Sequence, residues 1–280
     1  MGIFAIIREA LRIGRRHKSL WLFGFLAGLG GAGINFGGLG ARRAQVPPDV
    51  VITPPELTTQ LLVLAVVVAL TRGFVLLRLL SIGALIEGVK RARHSGSMTL
   101  GEGFREGWAH WGVLFGIGLV FIAANFSSFA VLAGACYLVW LSLGAPAVYF
   151  ACAFAVVVGV PWLLTLYMWQ SFAERIAVLE NRRALDAIRK ARLFLHGRLP
   201  LGLKLLVAGF LGVLFVALIG LAVVLPTAAI VVGSASVWGP LGAAGLGVLT
   251  LLPAAFVAYA MVGIVTSSVW TIGYLSQVKQ

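Results

Sequence analysis

The sequence predicts an all-α polytopic membrane protein: six transmembrane helices in three hairpins, with amphipathic interfacial helices between them. Three observations carry that expectation. Of the 280 residues, 60% are hydrophobic and 11% charged, against about 25% charged in soluble domains, and the mean hydropathy is +1.02. Apolar runs of 20 or more residues recur, each long enough at about 1.5 Å per residue to cross a hydrocarbon core of about 30 Å. The alternating segments of about ten residues that build membrane β-barrels are absent.

Residues 3–18 put Ile3, Phe4, Ile7 and Leu11 on one helical face and Arg8, Arg12, Arg15 and Arg16 on the other, as expected of a helix lying in a membrane surface. The first span is expected at about 20–39. The stretch before it is long for the basic region of a secretory signal and is itself helical in pattern, so an uncleaved first span is expected. Gly24/Gly28 and Gly33/Gly37 have the spacing that lets membrane helices approach closely, by ordinary packing or as a dimer face. Pro47, Pro48, Pro54 and Pro55 make 41–60 a loop. The second span is expected at about 61–86, followed by a basic loop over 87–111 in which Thr99 and Glu102 have capping-box spacing and start a short helix. The third and fourth spans, about 112–140 and 147–170, meet at a turn marked by Gly144 and Pro146. The charged stretch 172–200 then reads as a connector with an amphipathic helix, before spans at about 201–226 and 241–274. Gly233, Ser234, Ser236, Gly239 and Pro240 mark the last loop, and Pro161 and Pro253 are expected to kink their spans.

Charge sets the orientation. With the amino terminus inside, 18 of the 22 lysines and arginines fall in cytoplasmic segments and only Arg42 and Arg43 outside. Both termini are therefore expected in the cytoplasm, with the protein multi-pass in the cell membrane. The net charge of +13 sits in short clusters at span ends. That pattern suits anionic lipid headgroups and argues against nucleic acid as a partner.

An acid, a small residue, an apolar residue and an arginine precede each odd-numbered span: Glu9 to Arg12, Glu102 to Arg105 and Asp186 to Arg189. Acid and arginine at i and i+3 share a helical face and can pair, so each hairpin is expected to enter the membrane through a basic elbow. Around the third copy, residues 173–206 (AERIAVLENRRALDAIRKARLFLHGRLPLGLKLL) resemble a segment of bacterial and archaeal six-span proteins related to the membrane domain of glycerophosphodiester phosphodiesterases. Glu180, Ala184, Leu185, Ile188, Arg189 and Arg192 carry the resemblance. It implies the six-span layout. The chain has no soluble phosphodiesterase domain, so enzymatic activity is not implied.

All nine acids lie outside the spans or at their ends, and all four histidines lie in the basic belts. No pair has metal-ligand spacing on one helical face, and no nucleophile, base and orienting acid come together at depth. A non-enzymatic protein with no metal and no cofactor is expected. Cys136 and Cys152 lie in apolar runs, nearly symmetric about the turn, and read as buried free thiols, although a bridge is geometrically conceivable.

The costly residue is Arg72. It lies 15 residues from Glu87, about 22 Å deep, where an unpaired cation costs about 2.5–3.5 kcal/mol or more. Arg78 is nearer the surface and can snorkel. Asn125 comes to the level of Arg72 and Asn35 slightly deeper. Arg72 is therefore expected either to bond Asn125, Asn35 or a helix carbonyl and lock the bundle, or to meet an anionic lipid or solute. The corresponding functions are a scaffold or accessory subunit that contacts anionic lipids and a partner membrane protein or second copy, and a small transporter, permease or lipid-handling protein built on the layer around Arg72.

Overall fold

The computed structural model describes residues 2–31, 57–94 and 96–278, and every regular element among them is an α-helix. They are α1 (Ile3–Arg16), α2 (Leu20–Gly31), α3 (Leu57–Arg93), α4 (Leu100–Leu143), α5 (Ala145–Leu179), α6 (Ala184–Leu195) and α7 (Leu199–Val278). α7 is two arms joined at Gly239, whose φ of 72° and ψ of 173° interrupt the helix. Five described stretches are long and apolar enough to cross a membrane: Thr58–Arg93, Leu100–Leu143, Pro146–Leu179, Leu199–Ser234 and Gly245–Val278. The expected first span is described only as α2. Its remainder, Gly33/Gly37 and residues 41–56 of the expected proline-rich loop lie outside the described residues, while 57–60, expected in that loop, are the first turn of α3.

Several expected boundaries move, each for a local reason. The Thr99 hydroxyl accepts from the Glu102 amide and the Glu102 carboxylate accepts from the Thr99 amide, so the capping box forms. It opens α4 itself: the elbow and the third span are one helix of 44 residues, with no separate short helix. The hairpin turn forms where expected, with Gly144 at φ 78° and Pro146 in the first turn of α5. α5 is continuous through Pro161. The loop expected over 227–240 is helical up to Gly239, because serine hydroxyls in apolar helices satisfy themselves on preceding carbonyls, as Ser234 does on Val231.

The largest correction concerns the charged stretch 172–200. Its first eight residues are the last two turns of α5, and Phe172, Ala173, Ile176 and Ala177 are at most 1% exposed. They form the main core with Ala187, Ala191 and Leu195 of α6 and with Val265, Val269, Trp270 and Tyr274 of α7. The helical spacing that makes this stripe outweighs the interspersed charges. α1 also turns Ile6 and Ala10 into that core, with Ile3, Ile7 and Leu11 packed alongside, while Phe4 stays 79% exposed. A second core joins Ile13, Leu20 and Phe23 to Ala84, Leu85 and Val89 of α3 and to Ile264 and Ile272 of α7.

Burial is concentrated at the end of the bundle holding α1 and α6. Away from it, Leu70 of α3, Phe126 of α4 and Phe154 of α5 are 68%, 76% and 70% exposed. An apolar helix face open to this degree suits lipid rather than water.

α2 lies against the second arm of α7 at backbone contact. A Cβ on Gly24 or Gly28 would fall on the Ala260 or Tyr259 carbonyl, and one on Gly263 would fall on the Gly24 carbonyl. The Gly24/Gly28 pair is thus used within the chain.

Candidate functional site

Arg72 lies in the exposed length of α3 and has no hydrogen bond or ion pair among the described residues. The expected bond to Asn125 does not form; the Asn125 amide N–H donates to the Phe121 carbonyl of its own helix at 2.7 Å. Asn35 lies outside the described residues. Arg78, two turns further along α3, is half-buried and its Nε is buried without an acceptor. The polar layer expected from the sequence is therefore not assembled from described side chains.

The three elbows differ in detail. Arg12 donates to Glu9 at 3.3 Å on α1. Glu102 is engaged by the capping box and lies 3.9 Å from Arg91, while Arg105 points outward. Asp186 and Arg189 are both exposed on α6, with no bond between them. The second elbow is ordered across helices instead. Arg91, in the last turn of α3, meets Glu87 at 3.5 Å and donates to Glu106 of α4 at 3.0 Å. The fixed guanidinium fork serves several carboxylates at once, so one residue fastens α3 to α4.

Sequence reasoning missed a further polar centre at the end of α5. That helix stops because Asn181 adopts φ 50°, a left-handed conformation asparagine tolerates, and the Arg182 amide returns to the Ala177 carbonyl at 3.1 Å. The turn aims Glu180 back at the bundle. Its carboxylate accepts from Lys190 Nζ of α6 at 2.8 and 2.6 Å, from Arg182 Nε at 3.2 Å and from the buried Tyr274 hydroxyl of α7. Burial pushes the Glu180 carboxyl up, but these donors outweigh it and hold it below the ordinary 4.5. Tyr274 is itself fixed by aromatic contacts with Phe172 and Phe194.

One turn before this, Arg175 is 5% exposed. Its Nη1 donates to the Ser171 carbonyl at 2.7 Å and to Glu174 at 3.1 Å, and Glu174 accepts from Gln170 as well. Among the described residues Arg175, and not Arg72, is the buried cation. The helical spacing of Phe172, Ala173, Ile176 and Ala177 around it was the available signal.

Cys136 and Cys152 are free, the first partly exposed and the second exposed. Among the described residues no three His, Cys, Asp or Glu side chains converge as metal ligands. Two cavities stand out among the described residues. One of about 280 Å³ lies between α4 and α5, where Trp162 Nε1 donates to Ser128 Oγ at 2.9 Å. The other, about 330 Å³, lies between α1 and the end of α3, against Glu9, Arg12, Ile13, Arg16, His17 and Ala92. Neither includes Arg72.

The class these features define is an all-helical protein with several helices long and apolar enough to cross a membrane, closed at one end by a packed, charged base. Comparison with protein families, with curated proteins and with solved structures finds no match to the chain.

Proposed function

We propose that this chain is a non-catalytic integral membrane protein, a scaffold or accessory subunit that contacts anionic lipids and partner helices. In this reading it crosses the cell membrane six times, and both termini and the charged base face the cytoplasm. The carrying observation is Arg72: a cation in a long apolar helix, exposed and without an acceptor among the described residues. A guanidinium in hydrocarbon needs an anion, and an exposed one takes it from outside the chain, as a lipid phosphate or a carboxylate on a neighbouring helix. The likeness of residues 173–206 to the membrane domain of glycerophosphodiester phosphodiesterases belongs to the same proposal, as a layout without the enzyme.

The transporter reading requires a solvated cavity at Arg72, and neither cavity described above includes that residue. Native mass spectrometry of the detergent-extracted protein beside Arg72→Leu tests the scaffold reading. The expected result is a co-purifying anionic lipid or partner subunit on the wild type that is lost from the variant, with no fall in thermal stability. Equal lipid and partner content in the two proteins overturns it.

A further inference from the structure

We infer that the 330 Å³ cavity between α1 and the end of α3 is a binding site for a phosphate-bearing anion, a phospholipid headgroup or a soluble phosphate ester. The inference rests on the reading that the chain engages anionic ligands, and narrows it to one site. Arg12 and Arg16 are one helical turn apart, so both guanidinium groups reach the same opening. Arg16 and His17 have no side-chain partner among the described residues. Arg12 is held by Glu9 at 3.3 Å, which orients its fork and leaves further N–H groups to donate. Ile13 and Ala92 supply an apolar floor. The Ala92 wall belongs to a helix end that also carries Lys90, Arg91 and Arg93, and Arg93 Nη1 is buried without an acceptor.

Planar guanidinium forks side by side match the several oxygens of a phosphate, which offers two arginines more acceptors than a lone carboxylate and more fully occupies the volume. Arg8 and Arg15 lie on the same helix, exposed and outside the cavity. They make an internal control, because removing them changes the helix charge by the same amount.

The test uses the full chain in detergent. One arm adds phosphatidylglycerol or phosphatidylcholine and reads bound lipid by native mass spectrometry; the other titrates glycerol 1-phosphate calorimetrically. R12Q/R16Q is expected to lose about tenfold or more in affinity in at least one arm, while R8Q/R15Q keeps wild-type binding. Loss in the lipid arm assigns a headgroup and loss in the soluble arm a free ester. Unchanged binding in R12Q/R16Q, or equal loss in both double variants, overturns the site. R72L run alongside separates the two readings. Lipid lost from R72L alone, with the soluble arm unchanged in R12Q/R16Q, overturns the cleft and keeps the scaffold reading; binding lost from R12Q/R16Q alone, with lipid and partner content unchanged in R72L, does the reverse.

Discussion

Replacing Gly263 by alanine tests the crossing of α2 with α7 on which the second core is built. The added Cβ would fall on the Gly24 carbonyl oxygen, with the carbonyl carbon at 2.8 Å and the Gly24 Cα at 3.0 Å. These are backbone atoms, so no change of rotamer relieves the overlap. Real Cβ atoms essentially never come within 3.0 Å of another heavy atom, and carbon–carbon contacts settle near about 3.5–4.0 Å, so the helices must part by about 1 Å or more. Parting them loosens Leu20, Phe23 and Ile264, which are at most 1% exposed. Overpacking of this kind costs about 1–3 kcal/mol, and alanine recovers up to about 1 kcal/mol over glycine as a helix former. The net expectation is a loss of about 1–2 kcal/mol.

Gly118→Ala and Gly209→Ala are the controls, since a Cβ at either meets nothing within 4 Å. They keep the helix gain without the clash, so their effect has the opposite sign. Thermal unfolding in detergent, followed by the fluorescence of the eight tryptophans, reads all three. Gly24→Ala strains the same crossing, so the double variant should lose less than the two single losses together. A Gly263→Ala protein that melts with the controls, at or above the wild type, refutes the crossing.

Glu174→Gln should destabilise strongly, by about 3–5 kcal/mol, because it leaves the Arg175 guanidinium buried without its carboxylate. Glu174→Gln with Arg175→Met should recover most of that loss in the same melt, since removing both charges ends the desolvation penalty. The Glu180 carboxyl is held below 4.5 by Lys190, Tyr274 and Arg182 against the effect of burial, so the unfolded chain takes up the proton first as pH falls. Its contribution is therefore whole above pH 4.5 and is lost on acidifying through the depressed folded value. The fall in melting temperature over that acid range should be shallower in Glu180→Gln, whose stability lacks this step.

What the sequence revealed depended on how local the cause was. The Thr99–Glu102 box and the Gly144–Pro146 turn are each set within four residues, and both stand where expected. The end of α5 was hidden because averaging over 172–180 mixes Glu174, Arg175 and Glu180 with the apolar stripe, although the stripe itself has helical spacing. Gly233, Ser234 and Ser236 resemble a loop by composition, yet only the positive φ of Gly239 breaks the helix. The bond between Glu180 and Tyr274 joins residues 94 apart, and no pattern along the chain announces it. Arg72 was assigned partners by depth, which assumes helices packed along their whole length; α3 is packed only toward its charged end.

Three arginines set structural cations beside the one on which the proposed function rests. Arg91 is surrounded by Glu87, Glu102 and Glu106, and Arg175 is given Glu174 and a main-chain carbonyl. Arg91 fastens α3 to α4 in this way, and Arg175 is held within α5, with its Nε buried and without an acceptor. Arg72 receives none among the described residues. A cation kept only to lock the bundle would resemble the first two. Arg72 differs from them in exposure and in partners alike, and an anion supplied by lipid or by a neighbouring helix accounts for both differences at once.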